Sequence, residues 1–235
     1  MQDFGDAFGL ALRLIFSGDP DFLEIVGLSL RVSLTALFTA SALGLALGAA
    51  LAVLKFPGRV GVVVVVNSCM GLPPVVVGLI IYMMLSNAGP LGFFGLLYTP
   101  TAMIIAQAVL ILPIIAALSR QVIADLHREY AEQFRSFCVP GHRAIAELLW
   151  DARYSLLTVM LAGLGRAMAE VGAVIIVGGN INHLTRVMTT SIALETSKGD
   201  LALALALGMV LLLIALTINA GVMGLNATAK RQAYA

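Results

Sequence analysis

Between Val60 and Ser119 the chain carries no Lys, Arg, Asp or Glu. A soluble domain spreads charge over its surface, at about a quarter of its residues, so a stretch this long without any is built for lipid. A membrane-spanning helix takes about 20 mostly apolar residues. The run is too long for one such helix and long enough for two. Its break falls at Asn87-Ala-Gly-Pro-Leu-Gly92, where Gly and Pro punctuate the chain. The whole chain follows suit, being 60% hydrophobic and only 11% charged.

The same reasoning places spans over residues 32–54, 61–86, 97–119, 155–178 and 201–226. The expected fold class is therefore an all-α membrane protein with five transmembrane helices, in one transmembrane domain over 1–235. Residues 4–16 show apolar residues at helical spacing, interrupted by Asp19-Pro20-Asp21, and segment 1–24 reads as a short interfacial element at the outer surface. The acidic N-terminus lacks the basic start of a cleavable signal. Cys69 lies in an apolar run and Cys138 in a polar one, which argues against a disulfide and offers no metal-ligand spacing. A net charge of +1 gives no sign of a nucleic-acid partner.

Charge returns at Arg120 to Arg153, which holds five Arg and five Asp/Glu. This island, with Lys55 and Arg59 of one turn and Lys230 and Arg231 of the C-terminus, carries most of the basic residues. The opposite face has Arg13, Arg186, Lys198 and at most Arg31. Basic residues accumulate on the cytoplasmic side. The island is then cytoplasmic, the N-terminus outside and the C-terminus inside. The island reads as helix, turn, helix, with Val139-Pro140-Gly141 as the break, and its size suggests a docking element.

Several residues inside the spans carry mechanical meaning. Ala36, Ala40, Gly44, Gly48 and Ala52 recur every fourth position and let another helix approach closely. They serve packing within one subunit or a pore or dimer face. Pro73 and Pro74, with Gly71 and Gly78, interrupt the second span, and Pro113 lies in the third. Proline removes a backbone donor, and at membrane depth that is tolerated only beside protein or water. The interruption is a static kink or a discontinuous helix beside a substrate path. Arg166 and Glu170, one helical turn apart in the fourth span, can pair. They form a structural ion pair or a gate on the path. Asn180 ends the polar turn Gly178-Gly-Asn at the outer end of that span.

Three stretches resemble the membrane subunit of bacterial ABC importers for oxyanions, and within it the tungstate-type permeases. These are Gly71-Leu-Pro-Pro-Val-Val-Val-Gly-Leu79, the segment GRAMAEVGAVIIVGGNI from Gly165 to Ile181, and TRVMTTSIALETSKGDLALALALG from Thr185 to Gly208. The resemblance implies a type I permease-like fold with a helical cytoplasmic coupling loop over 120–153. In that superfamily the loop carries a Glu-Ala-Ala-x-x-x-Gly element that enters a cleft on the ATPase. Here Glu132 alone matches; Gln133 and Phe134 replace the two Ala, Cys138 replaces the Gly, and Gly141 is left to supply the turn. The implied coupling residues are Glu132, Phe134, Phe137, Cys138 and Gly141. The candidate path or gate residues, read from the interruption, the intramembrane charges and the polar turn, are Pro73, Pro74, Gly78, Arg166, Glu170 and Asn180. The implied partners are a second copy of the chain, two ABC ATPase subunits inside, and a periplasmic or lipid-anchored oxyanion-binding protein outside. The setting is the lipid of a bacterial or archaeal cytoplasmic membrane. The cargo would be tungstate, then molybdate, with sulfate as the runner-up.

Other classes fit less well. The chain has no phosphate-cradling Gly-x-x-x-x-Gly-Lys-Ser/Thr loop, so it is expected to hydrolyse nothing and to need no cofactor or catalytic residue. A membrane enzyme wants clustered acids or His, whereas His127, His142 and His183 are scattered. An ion-coupled carrier wants acids within the membrane, and Glu170 is the one such residue.

Overall fold

The computed structural model describes residues 4–233, which form eleven α-helices and no strand. In order they are α1 (Phe4–Ser17), α2 (Pro20–Val53), α3 (Arg59–Cys69), α4 (Pro74–Leu85), α5 (Pro100–Glu129), α6 (Ala131–Ser136), α7 (Gly141–Asp151), α8 (Arg153–Met168), α9 (Gly172–Gly178), α10 (Met188–Lys198) and α11 (Leu201–Ala233). A short 3-10 turn at Gly92–Phe94 separates α4 from α5. Three helices are long and apolar enough to cross a membrane on their own: Pro20–Val53, Pro100–Glu129 and Leu201–Gly224. Two bent pairs, α3 with α4 and α8 with α9, bring the number to five if each pair counts as one span.

The helix ends differ from the hydropathy boundaries. The first span, expected from residue 32, belongs to a helix that begins at Pro20. Asp19 Oδ1 accepts the backbone N–H groups of Asp21 and Phe22 at 2.8 and 3.2 Å, satisfying two donors a helix start leaves unpaired. At the other end, Arg59 donates through Nε and Nη2 to the carbonyls of Leu51 and Ala52 at 2.6 and 3.2 Å. That answers the orphaned acceptors of the last turn. The helix of the third span continues past residue 119 to Glu129, so the first part of the charged island is the end of α5. Pro113 lies inside this helix without ending it.

The second and fourth spans are each interrupted. The chain leaves the helix at Met70–Pro73 and re-enters with Pro74 at the first position of α4, where a missing N–H costs nothing. The fourth, expected as a single run over 155–178, is interrupted at Ala169–Val171. Arg166 therefore lies in the last turn of α8 while Glu170 lies outside it, and the two do not share one continuous helix.

Contacts divide the chain into two compact units. Unit 2 comprises residues 37–72, 108–166 and 222–235. In it the small residues of α2 face α5: a Cβ on Gly44 would lie 3.0 Å from Ile115 Cγ2, and one on Gly48 would lie 2.5 Å from the Ala116 carbonyl oxygen. Ser119 Oγ donates to the Gly44 carbonyl at 3.4 Å. Packing within the chain is thus what these positions serve in unit 2, since Ala40, Gly44, Gly48 and Ala52 are all buried. A core of Ala49, Val53, Ile123, Ala144, Leu148 and Leu156 ties the end of α2 to α5, α7 and α8.

Unit 1 comprises residues 1–36, 73–107 and 167–221. Its core joins α2, α10 and α11 through Phe22, Met188, Ala206 and Leu207. Packed within the same unit, α4 lies against α9.

Candidate coupling loop and pathway site

The candidate coupling loop lies in unit 2. After α5 the chain turns at Tyr130, makes the short helix α6, turns again at Phe137–Pro140 and enters α7. Tyr130 anchors the arrangement. Its hydroxyl donates to Asp151 Oδ2 at 2.9 Å, and its ring meets the Phe134 ring edge-on at 6.0 Å. The Asp151 carboxylate accepts that proton and repels a phenolate, so the Tyr130 pKa is raised. Phe134 also stacks on His127, and its carbonyl accepts the Val139 N–H at 2.9 Å. α7 is amphipathic, with Ala144 and Leu148 buried.

The loop also holds large apolar side chains open on an otherwise polar surface. Phe137 is 79% exposed and Trp150 is 70% exposed. Glu132 and Cys138 are exposed as well. Of the five candidate coupling residues, then, Glu132, Phe137 and Cys138 are presented outward, while Phe134 works within the loop. Gly141 opens α7, and a Cβ there would lie 3.3 Å from Leu54 Cδ2. Cys138 has φ 51°, the left-handed region that favours Gly, so this non-Gly residue makes the turn itself. Trp150 was missed by sequence reasoning as a presented residue. Arg153 lies over it at 4.9 Å and over Tyr154 at 4.5 Å.

The pathway candidates of unit 1 gather around α4 and α9. Pro73 and Pro74 start α4, and Gly78 one turn on lies directly against α9: a Cβ there would fall 2.7 Å from Ala173 Cα. Glu170 is buried at 4% exposure. Its Oε1 accepts the Ala173 N–H at 3.1 Å, and its carbonyl accepts from Thr189 Oγ1 at 2.9 Å. The carboxylate thus meets an orphan donor at the start of α9. Arg166 is placed in the last turn of α8, within unit 2.

Asn180 stands at φ 50° just after Gly179 at φ 72°, and the two reverse the chain. Thr190 Oγ1 donates to Asn180 Oδ1 at 2.9 Å and accepts the Val187 N–H at 3.1 Å. Thr185, 1% exposed, holds the same turn from inside, donating to the Gly178 carbonyl at 2.5 Å and accepting the Ile181 N–H at 2.9 Å. Ser29 Oγ accepts the Met188 N–H at 2.6 Å and Gln107 Nε2 donates to the Ala167 carbonyl at 3.1 Å, beside a cavity of about 10 Å³. Sequence reasoning quoted Thr185, Thr189 and Thr190 only as part of a motif; their polarity within an otherwise apolar region was the available signal. At the rim, His183 Nδ1 lies 2.9 Å from Glu24 Oε2, and that carboxylate raises the His183 pKa.

With three to five apolar spans, two of them interrupted, and no strand among the described residues, the chain has the layout of an all-α multi-pass membrane protein. No family model matches it. It is 40% identical over 226 residues to the tungstate uptake system permease protein TupB of Peptoclostridium acidaminophilum, covering 96% of this chain and 99% of that one. It is 40% identical to a probable anion ABC transporter permease protein of Haloferax volcanii, covering 84% of this chain and 88% of the relative. With the TupB of Campylobacter jejuni it shares 37% identity over 91% and 90% of the two chains. The chain belongs to the oxyanion ABC importer permeases, the family of the tungstate uptake permeases.

Proposed function

We propose that this chain is the membrane subunit of an ATP-driven tungstate importer, working as a homodimer with two ABC ATPase subunits and an external binding protein. The 40% identity to a tungstate uptake permease over nearly the full length of both chains carries the reading. In this reading the N-terminus is outside and the island of residues 120–153 is in the cytoplasm of a bacterial or archaeal cell. Glu132, Phe137 and Cys138, with Trp150, face the ATPase. The exposed aromatics support this assignment, since large apolar side chains held open on a polar loop mark contact surfaces. Closure of the ATPase dimer on ATP would draw two such loops together and open the spans outward.

Pro73, Pro74, Gly78, Arg166, Glu170 and Asn180 are assigned to the path or its gate. Support comes from the two interrupted spans, because irregular backbone at membrane depth is found beside protein or water. Molybdate is the second cargo to test.

Two experiments test the reading. Replacing Phe137 to Gly141 by a flexible linker abolishes co-purification of the ATPase while membrane insertion persists; retained co-purification refutes the docking assignment. In the purified complex, tungstate-loaded binding protein stimulates ATP hydrolysis more than molybdate- or sulfate-loaded protein; a stronger response to sulfate refutes the cargo.

A further inference from the structure

Within unit 1 the cavity of about 10 Å³ lies among α2, α5, the end of α8 and the start of α10. Ser29 and Ser33 of α2, Gln107 of α5 and Thr189 of α10 line it, with Ala167 and Met168 at the edge of the break in the fourth span. No charged side chain lines it. Gln107 is only 4% exposed. Its Nε2 is spent on the Ala167 carbonyl at 3.1 Å, and its Oε1 is buried with no hydrogen-bond partner among the described residues. Ser29 Oγ accepts the Met188 N–H at 2.6 Å, which leaves the hydroxyl proton to donate elsewhere. Ser33, buried as well, brings a second hydroxyl one turn further along the same face of α2.

We infer that this cavity binds one ordered water molecule, which donates to Gln107 Oε1 and exchanges hydrogen bonds with the Ser29 and Ser33 hydroxyls. A buried water needs a space of about 10–15 Å³ and several polar partners, and the cavity supplies both. The space is too small for a tetrahedral oxyanion. A cation there would meet no opposite charge, which is costly for a buried ion. An apolar cavity would stay dry, but this one holds an acceptor whose burial without a bond is destabilising. The location gives the water a task. The fourth span breaks at Ala169–Val171, and carbonyls beside the break are met from other helices: that of Ala167 by Gln107, and that of Glu170 by Thr189 Oγ1 at 2.9 Å. A water bonded to Gln107 and to the serines of α2 joins α2 and α5 in one polar cluster beside the break. Irregular backbone at membrane depth persists where protein and ordered water satisfy it in this way. The water site is independent of the cargo and of the ATPase.

Hydroxyl-radical footprinting by X-ray radiolysis of the full chain, purified in lipid nanodiscs, tests the site. Radicals form from water in place and oxidise the nearest sulfur, so a methionine beside bound water is labelled even where bulk solvent does not reach it. Met188 lines the cavity at 1% exposure, whereas Met103, at 0%, does not line it. Met188 becomes sulfoxide at least ~10-fold faster than Met103, because only Met188 has water beside it. A Met188 rate equal to that of Met103 overturns the inference. Ser33→Val adds a methyl group to the cavity and removes a hydroxyl, and it brings the Met188 rate down to that of Met103. Unchanged labelling of Met188 in that variant also overturns the inference. Where Ser33→Val does not insert and fold, Ser33→Thr, which adds the methyl group and keeps the hydroxyl, is read by the same criterion.

Discussion

Gly78 is the tightest point between α4 and α9, and replacing it with Ala tests whether close packing sets that position. The added Cβ would lie 2.7 Å from Ala173 Cα, 3.2 Å from its carbonyl oxygen and 3.3 Å from its Cβ. Ordinary carbon contacts begin near 3.5 Å, so α9 must retreat by about 0.8 Å. The obstacle is backbone, which cannot rotate away as a side chain can. Overpacking of this kind costs about 1–3 kcal/mol, while Ala gains back roughly 0.9 kcal/mol over Gly in a helix interior. The net loss is up to about 2 kcal/mol, which for a chain of this size lowers the melting temperature by up to about 8 °C. Thermal melting of the detergent-solubilised protein measures it. Gly208→Ala is the control, because nothing lies within 4 Å of its added Cβ; there the propensity gain acts alone and the melting temperature holds or rises. Adding Ala173→Gly to Gly78→Ala does not rescue it, since the nearest atom is Cα. Equal melting of Gly78→Ala and Gly208→Ala, or rescue by Ala173→Gly, refutes the reasoning.

Gly48→Ala in α2 meets the Ala116 carbonyl oxygen at 2.5 Å and the Arg120 nitrogen at 2.9 Å; it lowers the melting temperature at least as far as Gly78→Ala does in the same assay. Thr185→Val strands the Gly178 carbonyl and the Ile181 N–H, costing about 1–3 kcal/mol, whereas Thr185→Ser keeps both bonds; comparative melting of the two variants distinguishes a hydrogen-bonding role from a volume effect. His183 has a raised pKa from Glu24, so its stabilisation is complete below the ordinary histidine range and fades as pH rises through the elevated value. Hydrogen exchange around residues 179–187 therefore quickens from acidic to mildly alkaline pH beyond its intrinsic pH dependence, and Glu24→Gln removes that excess.

How much of this was legible beforehand depends on which force sets each feature. The spans were legible because lipid demands length and apolarity together, and both are written in the residues. The helix ends were not, because a helix continues as long as its backbone bonds are met: α5 keeps its hydrogen-bond ladder past Ser119, where hydropathy falls, to Glu129. The first interruption was announced by Gly71 and two prolines. The second, at Ala169–Val171, was not, because its helix start is met by a Glu170 carboxylate bonded to Ala173 N–H, a residue type that reads as helix-forming. α10 was hidden for the converse reason. Its sequence, Met188-Thr-Thr-Ser-Ile, is poor in helix formers, and its first backbone donor is answered by Ser29, 159 residues away in the chain. At the candidate site the same division holds. Pro73 and Pro74 could be singled out from the chain because proline acts locally. Gly78 and Thr185 owe their roles to partners that the fold alone brings near, Ala173 and the Gly178 carbonyl. The pathway of a permease is built from such non-local contacts and from exposed polar groups. The residues most worth substituting are therefore those whose polarity or smallness lacks a local cause, and Gly78 and Thr185 meet that description.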